Sequence, residues 1–207
     1  MEDDTVSSLL ILGAGGHGRV VADAAQRQGA WAAVAATDRN ASRCSGELLP
    51  GVALRAPAAL DEAPSVHVAV GDNAARRREC EAVGLHRLAT VIHPQASVSP
   101  HAQLAGGCLV AAQAVVAPYA RLGHGVIVNH AAVVDHDAAV GAFTHVAPGA
   151  RLGGGVSIGA GVLVGAGASV LPGRKVCDGA VIGAGAVVNR DIDEPGTWAG
   201  LPARRIA

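Results

Sequence analysis

"IGAGVLVGAGAS", Ile158–Ser169, is one six-residue phrase written twice. An aliphatic residue opens each copy, Ile158 or Val164, and small residues follow it. The phrase keeps its phase in both directions: from Val98 to Val188 every sixth residue is Val, Leu or Ile, sixteen in succession. An unbroken period of six is the signature of a hexapeptide parallel β-helix. Each hexad supplies one short strand and one corner, three hexads close a triangular coil, and sixteen therefore predict about five coils. The opening aliphatic of each hexad points inward. Small residues form the corners, where Gly adopts φ > 0 without strain. The chain is half apolar yet only 2% aromatic, as expected of a bore too narrow for rings.

Upstream of the repeats the grammar changes. Residues 6 to about 92 alternate strand and helix patterns: "VSSLLIL", the helix "HGRVVADAAQRQG" ending at Gly29, then "WAAVAAT", "VHVAV", the helical "AARRRECEAVG" and a fourth strand "RLATVI". Alternation of this kind implies a parallel, doubly wound sheet. The expected boundaries are 1–92 for a Rossmann-like half domain and 93–207 for the β-helix. "GAGGHG", Gly13–Gly18, lies between the first strand and first helix, where backbone N–H groups at a helix N-terminus receive phosphate. Asp38 ends the second strand, where an acid meets a ribose or base. "VGDN" ends the third strand on the same edge and adds Gly71 and Asn73. The unit is about half of a full dinucleotide fold, so a mononucleotide handle suits it better than NAD. Oxidoreduction is accordingly the weaker reading.

Other classes are disfavoured by bulk properties. A net charge of -1 offers no basic field for nucleic acid, and no apolar run reaches membrane-spanning length. The acidic start "MEDDTVSSLLILGAGGHG" lacks the cationic region of a signal peptide. Four scattered Cys, at 44, 80, 108 and 177, have no metal-ligand spacing and suit free thiols in the cytoplasm.

Chemistry enters the repeats at "VVDHDAAVGAFTH", Val133–His145. His124, His130 and His136 share the third hexad place but are six residues apart, so each points from a different corner and together they make no metal site within one chain. His136 stands apart because Asp135 and Asp137 flank it. Carboxylates hold an imidazole in one tautomer and favour its cation, which suits a general base. A β-helix needs no such triplet for stability, so a purely structural scaffold is the weaker reading. A backbone N–H near Gly154 or His145 is a candidate oxyanion donor.

"GAGGHG", "VIVNHAAVVDHDAAVGAFTHVAPGARLGGGVSIG" and "AGLPARRI" together resemble bacterial sugar acetyltransferases that join a Rossmann-like domain to a left-handed β-helix. That group includes nucleotide-4-amino-sugar N-acetyltransferases of the bacillosamine and perosamine type and sialic acid O-acetyltransferases. The resemblance implies the left hand, which breaks the usual crossover preference. It implies acetyl-CoA as co-substrate, no metal, and a homotrimer with active sites between subunits, serving glycan biosynthesis. His136 matches the catalytic base and Asp137 the acid after it, where some members have Glu. His145 matches a residue near the thioester, and Ala166 and Ala184 match main-chain contacts along the coenzyme. Gly15, Gly16, His17, Asp38 and Gly71 match the nucleotide-sugar site. His130 stands where some relatives carry a small hydroxyl residue. The expected reaction is N-acetylation of a nucleotide-linked 4-amino sugar, with O-acetylation of a sugar such as sialic acid as the alternative.

Overall fold

A computed structural model describes residues 8–206; Val6 and Ser7 of the expected first strand lie outside the described residues. The α/β layer opens with β1 (Leu9–Leu12), α1 (Gly16–Gln28) and β2 (Val34–Thr37). It continues through β3 (Glu47–Leu49), β4 (Val52–Leu54), α2 (Ala59–Glu62), β5 (Ser65–Val68) and α3 (Asn73–Val83). The sheet order is β3-β4-β2-β1-β5. β1 lies between β2 and β5, parallel to both. Helix α1 ends on Gly29 in the left-handed conformation, φ 67°, the usual glycine stop.

Two features differ from the sequence expectation. β3 and β4 form an antiparallel edge hairpin across Pro50 and Gly51. "RLATVI" does not extend the α/β sheet: Val91–Ile92 pairs with Leu109–Val110 and is the first rung of the β-helix. Only its first residues touch the sheet: Leu88 bridges Val66, the Ala89 N–H donates to the Val66 carbonyl, and the Ala89 carbonyl lies 2.9 Å from His67 Nδ1.

The repeats form the left-handed parallel β-helix. Its two-residue strands stack with partners eighteen residues apart, as in Val115↔Val133 and Ile127↔His145. Face I runs upward from Val91–Ile92 through Leu109–Val110, Ile127–Val128, His145–Val146 and Leu163–Val164 to Val181–Ile182. Face II carries Ser97–Val98, Val115–Val116, Val133–Val134 and their successors, and face III begins at Gln103–Leu104. Every hexad opener from Val110 to Val188 is buried, each contributing roughly 1.5–3 kcal/mol for its size.

The outward residues differ by face. On face I, Leu109 and Ile127 are buried in the core of the α/β layer. Face III shows water Gln103, Arg121, Ser157 and Lys175. Face II presents the half-exposed valines Val115, Val133 and Val187. At the far end, Thr197–Ala199 extends face I and Arg204–Arg205 folds back antiparallel to it. Trp198 packs on the β-helix core and closes its end, as exposed repeat ends require.

Arg76 joins the two parts. It is 1% exposed, and all five of its N–H groups donate to oxygen: Nε to the Gly125 carbonyl, one terminal nitrogen to Val70 and Gly71, the other to Asn73 Oδ1 and the Phe143 carbonyl, at 2.7–3.0 Å. Three of these acceptors belong to the α3 start and two to the β-helix. Among the described residues no carboxylate bonds to it. Burial lowers its pKa to about 10, which leaves it charged at neutral pH.

Candidate active site

Coil geometry sorts the third-place histidines onto separate corners. The His124 carbonyl accepts from Phe143 N–H, that of His130 from Gly149 N–H and that of His136 from Gly155 N–H. His124 therefore lies between faces III and I, His130 between I and II, and His136 between II and III. Among the described residues no three potential metal ligands come together.

The corner between faces II and III repeats Pro100, Pro118, His136, Gly154 and Pro172 up the helix. His136 is the only one of these with a titratable side chain. Its ring is 61% exposed, and Nδ1 lies 2.8 Å from Asp137 Oδ2. The His136 N–H donates to Asp135 Oδ1 at 2.7 Å. The hydrogen bond to Asp137, and then the charge of Asp135, raise the imidazole pKa. Nδ1 thus carries the proton and Nε2 is the free base. Asp137 reaches its place through a left-handed backbone, φ 59°, a position that later coils give to Gly155 and Gly173.

Only a neutral ring accepts a proton, so with His136 in the role of base a raised pKa is expected to place the acid limb of the rate profile above the ordinary histidine value of about 6.5. Activity falls as pH drops through it. Asp137→Asn removes the main cause, so the limb should move to lower pH while the plateau rate falls with the lost orientation. A pH profile of kcat/KM measures both; an unmoved limb would contradict the pairing.

Gly154 gives the ring its room. A Cβ there would stand 2.5 Å from His136 Nε2 and 2.6 Å from Cε1. Its φ is not in the positive range, so Ala fits the backbone and the cost falls on the imidazole. Gly154→Ala should keep stability within about 0.5 kcal/mol and lower kcat at least tenfold. Unchanged turnover would show that the ring's position does not matter. The Gly154 N–H has no partner among the described residues and lies beside this nitrogen.

The nucleotide-type elements gather beside face I. Asp38 Oδ2 accepts from the Ala14 N–H at 3.0 Å and Oδ1 from the Asn40 N–H at 2.9 Å. Burial pushes its carboxyl up, but these donors and Arg43 outweigh it and hold it below the usual range. The outer glycines of the fingerprint serve packing: a Cβ on Gly13 would stand 2.6 Å from the Ala69 carbonyl, and one on Gly18 would collide with the Gly13 carbonyl. Gly15 and Gly16 face open space, as does Gly71. Helix α1 begins there with no side-chain cap and no acid in its first turn. Helix α3, by contrast, is capped by Asp72. The N-terminus of α1 is therefore the end left open to an anion. Sequence reasoning missed Arg19, which lines a cleft of about 280 Å³ with His130, Asp23 and His93.

His17 is held neutral: burial first, then the charges of Arg76 and His130, lower its pKa to about 4. Its Nε2 is buried without a partner among the described residues. His145 stands in the joint. Asn129 Oδ1 accepts from the His130 N–H, which turns Asn129 Nδ2 toward His145 Nε2 at 3.0 Å. The other ring nitrogen then donates to Gly71. Burial, then Arg76 and His17, lower the pKa of His145 to about 4. It presents the edge of a fixed neutral ring rather than a free donor. Asn73 departs from the expectation of a nucleotide contact: Nδ2 donates to the Gly161 and Val162 carbonyls at 3.0 and 3.1 Å, and Oδ1 accepts from Arg76. Its amide belongs to the joint.

Ala166 and Ala184 are exposed and stack on the His130 corner. One chain therefore carries two separated halves. His136 and Gly154 lie on the corner between faces II and III; the glycine-rich loop, His145, Ala166 and Ala184 lie on or beside face I and its corner with face II. A cleft of about 540 Å³ beside the α3 start is lined by Asp72, Asp178 and Arg77 and by no histidine. Cys80 and Cys108 are buried with pKa pushed to about 11 and 12, so neither is a nucleophile.

The family model for the PglD N-terminal domain matches residues 8–83, and that for the bacterial transferase hexapeptide (six repeats) matches residues 155–190. The acetyltransferase domain of PglB from Neisseria gonorrhoeae is 38% identical, with a TM-score of 0.90, covering 97% of this chain and 100% of that one. Its complex with acetyl coenzyme A gives 38% identity and a TM-score of 0.89 over 97% and 99% of the two chains. A histidine-to-asparagine variant of perosamine N-acetyltransferase from Caulobacter crescentus, in complex with CoA and GDP-perosamine, is 33% identical with a TM-score of 0.87 over 97% of each chain. No curated protein matches the chain.

Proposed function

Because this chain belongs to the bacterial sugar acetyltransferases built on a left-handed β-helix, we propose that it moves the acetyl group of acetyl-CoA onto the amino group of a nucleotide-linked 4-amino sugar, with His136 as general base. The observation that carries the reading is the His136–Asp137 pair, exposed at 2.8 Å on a corner where the coils directly below and above hold Pro118 and Gly154. Both similar enzymes support it by what they are described to bind: acetyl coenzyme A in one, CoA and GDP-perosamine in the other.

In the proposed reaction the neutral sugar amine attacks the thioester carbonyl. The new C–N bond forms as His136 Nε2 takes the amine proton, and Asp137 supports the charge. The Gly154 N–H is placed to receive the developing oxyanion. Collapse breaks the C–S bond, and the thiolate of CoA leaves with the proton from His136. The exposed main chain at Ala166 and Ala184 lies along the coenzyme, with the His145 ring near its thioester. The α1 N-terminus, Gly15, Gly16, His17, Asp38 and Gly71 hold the nucleotide end. Binding energy there orients the amine.

The two half-sites sit on different corners, so a complete site needs a second copy. In the proposed homotrimer the His136 corner of one copy meets the His130 corner of its neighbour, with the valines of face II between them. The α/β layer, up to about residue 90, acts as the nucleotide-sugar domain, and the β-helix, which begins at Val91 rather than at the expected residue 93, acts as the acetyltransferase domain of a cytoplasmic enzyme of glycan biosynthesis. O-acetylation shares the base and coenzyme. NMR of the product formed from acetyl-CoA and a UDP- or GDP-linked 4-amino sugar separates the two. An amide at the amine supports the proposal; an ester on a hydroxyl would replace it.

A further inference from the structure

Among the described residues five other than glycine have positive φ: Gln113, Tyr119, Ala131, Asp137 and Phe143. All fall at the fourth hexad place, which the upper coils fill with glycine from Gly149 to Gly185. A side chain kept there carries a backbone penalty that glycine would remove. Asp137 pairs with His136, and Phe143 is buried in the joint with α3. Tyr119 has no such burial. It follows Pro118 on the His136 corner, one coil below Asp137, and is 62% exposed. Its ring stacks on His101 at 5.8 Å between centroids, which holds it outward, and the other aromatic side chains Trp31, Phe143 and Trp198 are all buried or half-buried.

A cavity that suits this ring lies on the other corner of face II. The cleft of about 280 Å³ beneath His130 is walled by Arg19, Val20 and Asp23 of α1 and floored by Ala111 and Ala112. A benzene ring occupies a cavity of about 150 Å³, so the cleft admits a phenol. Among the described residues no acid pairs with the Arg19 guanidinium, and a guanidinium without a carboxylate is attracted to an aromatic face. Height decides whether ring and cleft meet. Tyr119 comes seven residues after Ala112 and eleven before His130. With a rise of about 4.8 Å for each eighteen-residue coil, it stands about 2 Å above Ala112 and about 3 Å below His130. A rotation axis parallel to the β-helix leaves heights unchanged. Where the His136 corner of one copy meets the His130 corner of the next, Tyr119 is therefore level with the neighbour's cleft.

We infer that Tyr119 of one copy seats its ring in the α1 cleft of the next copy. The inference rests on the homotrimer proposed above and names the contact that sets its register. It also bears on the shared site. The wall of the cleft is α1, whose first residues are part of the glycine-rich loop. That loop stands at the level of His136: the charges of His17 and His130 interact, and Gly71 meets His145. A ring seated against α1 just below this level holds the neighbour's loop beside His136. Tyr119 is thus a positioning residue and touches no substrate.

Sedimentation velocity of the full-length protein over a range of concentrations tests the contact without turnover, with circular dichroism as the check on folding. Wild type should run at three times the mass of the chain. Tyr119→Gly should keep its fold and dissociate at a concentration about tenfold higher than wild type. Tyr119→Phe, which keeps the ring, should hold together. Ala112→Trp fills the cleft from within its own chain and should weaken the assembly in the same way. The double variant Tyr119→Gly, Ala112→Trp should be no weaker than either single one, because ring and cleft form one contact. A wild type of any other mass, an assembly that Tyr119→Gly leaves unchanged, or losses that add in the double variant would overturn the inference. So would a Tyr119→Gly chain that fails to fold while Ala112→Trp remains a trimer, since the ring would then support its own chain. Failure of the acetyl-transfer reading appears separately, as a trimer that depends on Tyr119 and releases no CoA.

Discussion

His136→Ala should lower kcat by roughly 10²- to 10⁴-fold and leave the fold untouched. The two halves of this expectation have separate causes. The ring packs into no core and has one side-chain partner, Asp137. Its removal therefore costs about what an ordinary surface substitution does, within about 0.5 kcal/mol. The proposed chemistry loses its acceptor for the amine proton, while the glycine-rich loop and the Ala166–Ala184 corner keep their shape. KM for both substrates should change little beside kcat. A variant with near-normal turnover would remove His136 from the mechanism; one that fails to fold would show that the corner depends on the ring.

Arg76→Met should have the largest effect on stability. The guanidinium satisfies carbonyls of Val70, Gly71, Gly125 and Phe143 and the Asn73 amide oxygen in one buried cluster. Met fills similar space but pairs with none of them. Stranding buried acceptors costs about 1–3 kcal/mol for each that finds no water, so a total of about 3–5 kcal/mol is expected. For a chain of this size that corresponds to a fall of roughly 10 °C in Tm. The loss should fall on the junction. The α/β layer loosens, nucleotide-sugar binding weakens, and the β-helix, with its own continuous core, unfolds later as a distinct step. A single transition at the wild-type temperature would show that Arg76 does not join the two parts.

What the sequence made legible follows from periodicity. The six-residue phase identifies every interior aliphatic opener of the β-helix and, through the eighteen-residue stacking rule, puts Pro118, His136 and Gly154 on one corner. The α/β half is less explicit. Alternating patterns mark "RLATVI" as a strand but do not say which sheet takes it, and Val91–Ile92 joins the β-helix. "ELLPGVAL" carries the Pro-Gly signal of the edge hairpin that forms there. Three adjacent arginines in "AARRREC" look like a solvated face. Only the spacing of Arg76, Cys80 and Val83, all buried on one side of α3, distinguishes the one that turns inward. Asn73 sits on the expected sheet edge, but the β-helix approaches from the other side and takes its amide.

The most direct test of acetyl transfer to a nucleotide-linked amino sugar is CoA release by the full-length protein. Acetyl-CoA is supplied with UDP- and GDP-linked 4-amino sugars, with the same sugars freed of nucleotide, and with sialic acid. Release that requires both the amine and its nucleotide is the predicted result. Release with sialic acid alone, or equal release with and without the nucleotide, would contradict it.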